Sequence, residues 1–328
     1  MYNPLKYFRN RKVGLALGSG GSKGMAHIAV LEYMEFLGIP VHMIAGSSIG
    51  AVIGAVYACG NLRAFKRDIL GMDRKEVFSF FDPVFPRHGF LEGRDWINFM
   101  KKYIPPDAMI EDLPLKMSIM ATDVLKGTSV VFNSGNILEA VRASSSVPGV
   151  FVPVRYGDTF LIDGGVANPL PVDVVKTMGA GLTIAVNLHP GIGDMGIRSA
   201  VKDSVRQDRP FYDSGGIEMV DEGQARSTDE MKQTGLIKSI EKFLGIEEKD
   251  SGIRPPGIFD IITRTIDTME YMNTMLMLRY NAPTVLVEPD VILYGTLDFD
   301  KSGEIITRGF KACSDARKVL IKKVKNRL

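Results

Sequence analysis

The pentapeptide Gly46-Ser47-Ser48-Ile49-Gly50 stands between two apolar runs and leaves the chain few local options. Before it, Val41-His42-Met43-Ile44-Ala45 has the length and composition of a buried parallel strand; after it, Ala51-Val52-Ile53-Gly54-Ala55-Val56-Tyr57 continues as an apolar helix. The pattern predicts strand, tight turn at Ser48, then helix. In such an elbow the glycines remove Cβ atoms that would clash, the serine is lifted clear of the sheet, and the helix N–H groups point toward developing negative charge. Small residues packing a tight turn would leave the same pattern, so the motif alone leaves a nucleophilic role open.

The same stretch could be misread. Phe36 to Leu62 carries no charge, is long enough to cross a bilayer, and contains Gly46-x-x-x-Gly50-x-x-x-Gly54. Pro40, His42, Asn61 and the serine pair argue instead for strand, elbow and buried helix.

Upstream, Val13-Gly14-Leu15-Ala16-Leu17 reads as a first strand running into Gly18-Ser19-Gly20-Gly21-Ser22-Lys23-Gly24, and a helix follows from about Met25 to Leu37. A dinucleotide loop would have a third glycine where Lys23 stands and a carboxylate closing the second strand, which ends in Ala45-Gly46-Ser47. A Walker loop would read Gly-Lys-Ser/Thr, whereas this one reads Ser22-Lys23-Gly24. The remaining use is an oxyanion hole built from the backbone N–H groups of Gly20 and Gly21. In a parallel sheet this loop and the Ser48 elbow both emerge at the carboxyl edge of the strands.

Downstream, Asp158-Thr159-Phe160-Leu161-Ile162-Asp163-Gly164-Gly165-Val166 is a strand ending in a carboxylate followed by two glycines. Taken alone, such an Asp is commonly a turn former. His189 follows the apolar run Leu182–Leu188, so Ser48, Asp163 and His189 occur in the chain order of a hydrolase triad. Only one strand precedes the elbow's own, however, where that fold has several. His27, His42 and His88 are scattered, and no His/Cys/Asp spacing resembles a metal site.

Together these motifs resemble the patatin-like phospholipase family in a bacterial-type form, over roughly residues 12–190. The family's three signatures correspond here to Gly20-Gly21-Ser22-Lys23-Gly24, Gly46-Ser47-Ser48-Ile49-Gly50 and Asp163-Gly164-Gly165, with Gly18 opening the first loop. Ala121-Thr122-Asp123 and the stretch Ala143–Pro153 are also similar to the family. Ser19 departs from its commonest pattern, which has glycine there. The resemblance implies a three-layer α/β/α sandwich with a mostly parallel sheet and a Ser–Asp dyad. In it, Ser48 attacks an ester carbonyl and Asp163 is the general base, its pKa raised by burial above the usual value of about 4. Lys23 would brace the loop or meet a phosphate; otherwise it is an exposed lysine.

The expected function is hydrolysis of lipid acyl esters, of the phospholipase A or lysophospholipase kind, without cofactor, metal or nucleic acid. Alternatives are a triad esterase for small soluble esters using His189, and a non-catalytic lipid-binding relative. With 328 residues, 45% of them hydrophobic, the chain has ample core; Cys59 and Cys313 are too few for a disulfide framework and suggest a reducing compartment. No leader is evident, so the expected location is cytoplasmic, with peripheral contact to an anionic membrane surface through basic ends: Arg9, Arg11 and Lys12, and Lys322-Lys323-Val324-Lys325-Asn326-Arg327.

Residues 1–11 read as a tail and 12–328 as one domain with an insertion or lid at about 191–256. Leu236, Ile237, Ile240, Phe243 and Leu244 give that insertion an amphipathic turn or two. In the next helix, Ile258, Ile262, Ile266, Met269, Met272 and Leu276 form an apolar face expected to pack in the core or line an acyl pocket. Thr284–Val287 reads as a last strand and Glu304–Lys325 as a closing helix.

Overall fold

The computed structural model describes residues 12–79, 92–190 and 258–325. By its internal contacts the chain forms two units, 1–190 with 266–328, and 191–265. Of the second, the described residues are 258–265, the first turns of a helix that continues into the first unit. The expected insertion with its Leu236–Leu244 stretch, His88, and the basic residues Arg9, Arg11 and Arg327 lie outside the described residues.

Among the described residues eight strands form one sheet: β1 Val13–Leu17, β2 Met43–Ser47, β3 Lys116–Asp123, β4 Thr128–Phe132, β5 Val154–Tyr156, β6 Thr159–Asp163, β7 Leu182–Val186 and β8 Val285–Val287. The order is β5-β6-β3-β2-β1-β7-β8, with β4 also paired to β3. Pairings among β3, β2, β1, β7 and β8 are parallel, and those of β4, β5 and β6 are antiparallel. The helices are α1 Ala26–Phe36, α2 Ile49–Ala58, α3 Leu62–Leu70, α4 Arg74–Ser79, α5 Arg94–Met100, α6 Ile137–Ser144, α7 Val172–Thr177, α8 Ile258–Tyr280 and α9 Ser302–Lys325.

Strand alternation sorts the sheet into two unlike faces. Leu15, Leu17, Ile44, Ile184 and Val186 belong to the larger core, which α1, α2, α3 and α9 complete. Ala16, Ala45 and Ala185 lie in a second cluster with Leu170, Val172 and Val175, joined by Met277 and Leu278 near the end of α8. Small residues let α7 sit close to this face. A Cβ at Gly14 would lie 2.4 Å from Val175 Cγ1.

β3 shares one edge between two partners, and this sets up the site. β2 pairs with Lys116–Met120 in parallel and ends with Ser47 opposite Met120. β6 pairs with Ala121–Asp123 in the antiparallel sense and ends with Asp163 opposite Ala121. β4 overlaps both registers, so it must occupy the other edge of β3. The carboxyl ends of β2 and β6 therefore run head-on along one edge, meeting between two consecutive β3 residues about 3.3 Å apart.

Candidate active site

Ser48 follows β2 directly, with φ 53° and ψ −121°, and is the single non-glycine residue with positive φ among the described residues. Such a conformation costs on the order of 1–3 kcal/mol and is held by its surroundings. The glycines explain how. A Cβ at Gly46 would lie 2.5 Å from Gly50 O, and one at Gly50 would lie 2.1 Å from Leu17 O. The Gly-x-x-x-Gly run thus packs the elbow against β1. The Ser48 N–H donates to Ser144 Oγ at the end of α6 (2.9 Å), and the Ser48 hydroxyl donates to Asp163 Oδ2 at 2.6 Å.

Asp163 is held from several sides. Its N–H donates to Ser146 O (2.9 Å), its carbonyl accepts from Thr122 Oγ1 (2.8 Å), and its Oδ1 accepts from the Gly165 N–H (2.7 Å). Ser146 and Thr122 come from the two connecting stretches singled out in the sequence. Gly164 is required because a Cβ there would lie 2.4 Å from Met120 O. At Gly165 a Cβ would fall 2.0 Å from Glu270 Oε1, so the glycine admits a second carboxylate beside the first. Asp163 is 2% exposed. Burial, and next the neighbouring Glu270 charge, pushes it up to about 8, against the lowering effect of the hydrogen bonds from Ser48 and Gly165.

The glycine loop between β1 and α1 is tied down on both flanks. Gly18 N–H donates to Val186 O (3.2 Å), Ser19 N–H to Pro169 O (2.9 Å), and Ser22 N–H to Thr296 O (2.8 Å). Between these ties the N–H groups of Gly20 and Gly21 have no acceptor among the described residues. Their φ values of 145° and 57° favour glycine, and a Cβ at Gly21 would lie 2.4 Å from Thr296 O. Gly24 is equally constrained, its Cβ position falling 2.3 Å from Ile49 Cγ2. Ser19 is fully buried without a positive φ, so its backbone needs no glycine. Lys23 is 4% exposed, which excludes a solvated surface lysine.

His27, unassigned from sequence, closes this loop. Its Nε2–H donates to Gly18 O at 2.8 Å, and burial lowers its pKa to about 4. Because the folded state disfavours the proton, His27 contributes stability that is present above pH 6.5 and is lost as pH falls toward 4, up to about 3 kcal/mol. The expected result is a larger drop in urea-unfolding free energy between pH 7 and pH 4.5 for wild type than for His27→Gln. Parallel curves would remove His27 from the acid response.

An apolar groove opens at Ser48 and Gly21, lined by Val52, Ile69, Met72, Trp96, Phe151 and Phe299 among others. The acyl-pocket and core expectations for α8 need correction here. Met269, Met272 and Leu276 are exposed, whereas Glu270 and Thr274 are buried and Asn273 Nδ2 donates to Val166 O (2.9 Å). This stretch of α8 turns polar residues toward the Asp-Gly-Gly turn because that turn offers polar groups to satisfy. His189 is 2% exposed, with Nε2 3.1 Å from Glu270 Oε2. Ser48 and Asp163 bond to one another without an intervening ring. The apolar spacing of this helix masks Glu270 in the sequence; the signal for it is Asp267, Glu270 and Thr274, one helical turn apart.

Sheet, elbow and paired carboxylate define an α/β protein with a serine hydrogen-bonded to a buried Asp. Residues 15–176 match the family model described as patatin-like phospholipase. The chain belongs to the patatin-like phospholipase family, with the family's α/β sandwich fold: a mixed sheet, parallel at its centre, with helices on both faces.

It is 39% identical over 178 residues to an uncharacterized NTE family protein of Mycobacterium tuberculosis, covering 54% of this chain and 49% of that protein; a Mycobacterium bovis relative gives the same values. Lysophospholipase NTE1 of Pyricularia oryzae is 26% identical over 308 residues, covering 92% of this chain and 18% of its own. The chain thus spans about half the length of the mycobacterial relatives it matches. VipD from Legionella pneumophila aligns with 15% identity and a TM-score of 0.38, covering 95% of this chain and 75% of that one. Among the described residues no helix is long and apolar enough to cross a membrane.

Proposed function

We propose that the chain hydrolyses acyl esters of lipids through a Ser48–Asp163 dyad. The observation that carries this reading is the 2.6 Å hydrogen bond between the two side chains at the mouth of an apolar groove. Ser48 Oγ attacks the ester carbonyl carbon while its proton passes to Asp163 Oδ2. The N–H groups of Gly20 and Gly21 receive the oxyanion of the tetrahedral intermediate. Collapse expels the alcohol, which takes the proton from Asp163 and leaves an acyl-Ser48 ester. Asp163 then deprotonates a water that attacks this ester, releasing the fatty acid and restoring the serine. A carboxyl raised to about 8 is better matched to a serine proton than an ordinary carboxylate, provided it is ionised first.

The direct Ser–Asp bond favours this reading over a triad through His189, whose Nε2 faces Glu270. The groove supports a long acyl chain, because each buried methylene contributes about 0.8 kcal/mol. The test is fatty-acid release from lysophospholipid, diacyl phospholipid and a short-chain soluble ester by the purified protein. No turnover on any of them would overturn the proposal.

Met72, partly buried in the groove wall, offers a chain-length test. Met72→Trp is expected to lower kcat/KM for a long-chain ester by about tenfold, the loss set by crowding of a hydrophobic pocket. Turnover of a butyrate ester should change by less than about threefold. Equal losses on both would place the acyl chain elsewhere.

A further inference from the structure

His189, at the end of β7, and Asp267 and Glu270, on α8, bring one nitrogen and two carboxylate oxygens within 4.8 Å of one another. We propose that these three side chains bind one divalent cation of the zinc class. The inference is independent of the hydrolytic reading. Its first support is the imidazole itself. His189 is 2% exposed and its Nε2 has no hydrogen-bond partner, yet it is aimed at Glu270 Oε2 at 3.1 Å. The two groups lie within hydrogen-bonding distance but form no hydrogen bond, and a buried polar atom left unpaired costs about 1–3 kcal/mol. A cation between them removes that penalty.

The second support is charge. Glu270 is buried and Asp267 is half-buried, so two carboxyl groups face a single imidazole. Among the described residues, no lysine or arginine pairs with either of them. Buried charge of one sign calls for a counter-ion.

Geometry and donor chemistry point to the metal class. Bonds of about 2.0 Å in a tetrahedron separate ligand atoms by about 3.3 Å, close to the His189–Glu270 spacing, and three protein ligands leave one position for water. Imidazole with carboxylates suits zinc and its neighbours better than calcium. The donors are also held in place. The His189 backbone N–H donates to Asn187 Oδ1 (2.9 Å), and Asn187 Nδ2 donates to Glu288 Oε1 (2.9 Å). Gly165 leaves the space that the Glu270 carboxylate occupies.

The experiment is titration of chelator-stripped full chain with Zn²⁺ by calorimetry and with Co²⁺ by visible absorption. One equivalent should bind, with a rise in Tm. Asp267→Asn and Glu270→Gln should each weaken binding at least about tenfold, while Ser48→Ala binds as wild type does, separating this site from the ester chemistry. Asp267 is half-exposed, so its variant stays informative even where Glu270→Gln fails to fold. Failure of wild type to bind either ion more tightly than Asp267→Asn would overturn the proposal.

Discussion

Ser48→Ala is expected to lower kcat on a lysophospholipid by on the order of 10⁴-fold or more, as removal of a nucleophile does when the remaining groups have nothing to act on. A phosphonate that traps serine hydrolases should label wild type and spare the variant. The substitution should leave the fold intact, since the bond to Ser144 Oγ uses the backbone N–H of residue 48 and not its side chain. Ser48→Gly should go further and raise stability by about 1 kcal/mol or more, because glycine adopts φ 53° without the cost a side chain incurs. Persistent labelling of Ser48→Ala would assign the acyl-enzyme to another residue.

Asp163→Asn should cause a loss of similar size, because the amide preserves shape but accepts no proton at the oxygen facing Ser48. Its loss should not add to that of Ser48→Ala, since the two groups act as one unit. The same carboxyl sets the pH response. In metal-free buffer, kcat/KM of wild type should rise with pH through about 8 as Asp163 ionises. Glu270→Gln removes the second-largest cause of the raised value, so its acid limb should move to lower pH.

Stability should run the other way. A carboxyl raised in the folded state contributes stability below its unfolded pKa of about 4, and that contribution is lost as pH climbs through 8. Asp163→Asn should therefore have a higher Tm than wild type at pH 9, with the gain shrinking toward pH 5. A limb that stays put in Glu270→Gln would show that the two carboxylates do not interact.

Where a property is local, it was readable in the residues. β1 agrees with the expected Val13–Leu17, and α1 begins one residue inside its expected start, after a 3₁₀ turn over Gly21–Met25. The elbow was legible because glycine at 46 and 50 and apolar runs on either side suit few other backbones. β2 lies two residues further on, at Met43–Ser47, because the strand continues into the turn; His42 still bonds Val13 and Lys116 through its backbone and accepts the Val13 N–H at its Nδ1 (3.0 Å). The antiparallel flap of β4, β5 and β6 was not read as a flap, since its strands are short, partly exposed and paired across β3.

The sequence by itself determined a β1–glycine loop, a serine elbow and a strand ending in Asp-Gly-Gly, because close backbone approach and left-handed φ demand glycine wherever they occur. Tertiary structure decided that Ser48 and Asp163, 115 residues apart, share a hydrogen bond. That follows from β2 and β6 dividing one edge of β3, a register no local pattern encodes. It also decided that His27 seals the glycine loop and that α8 turns Glu270 inward beside Asp163 and His189. Side chains remote in sequence acquire their partners, burial and proton affinity only when the sheet is assembled, because desolvation and Coulomb interaction depend on distance in space and not along the chain.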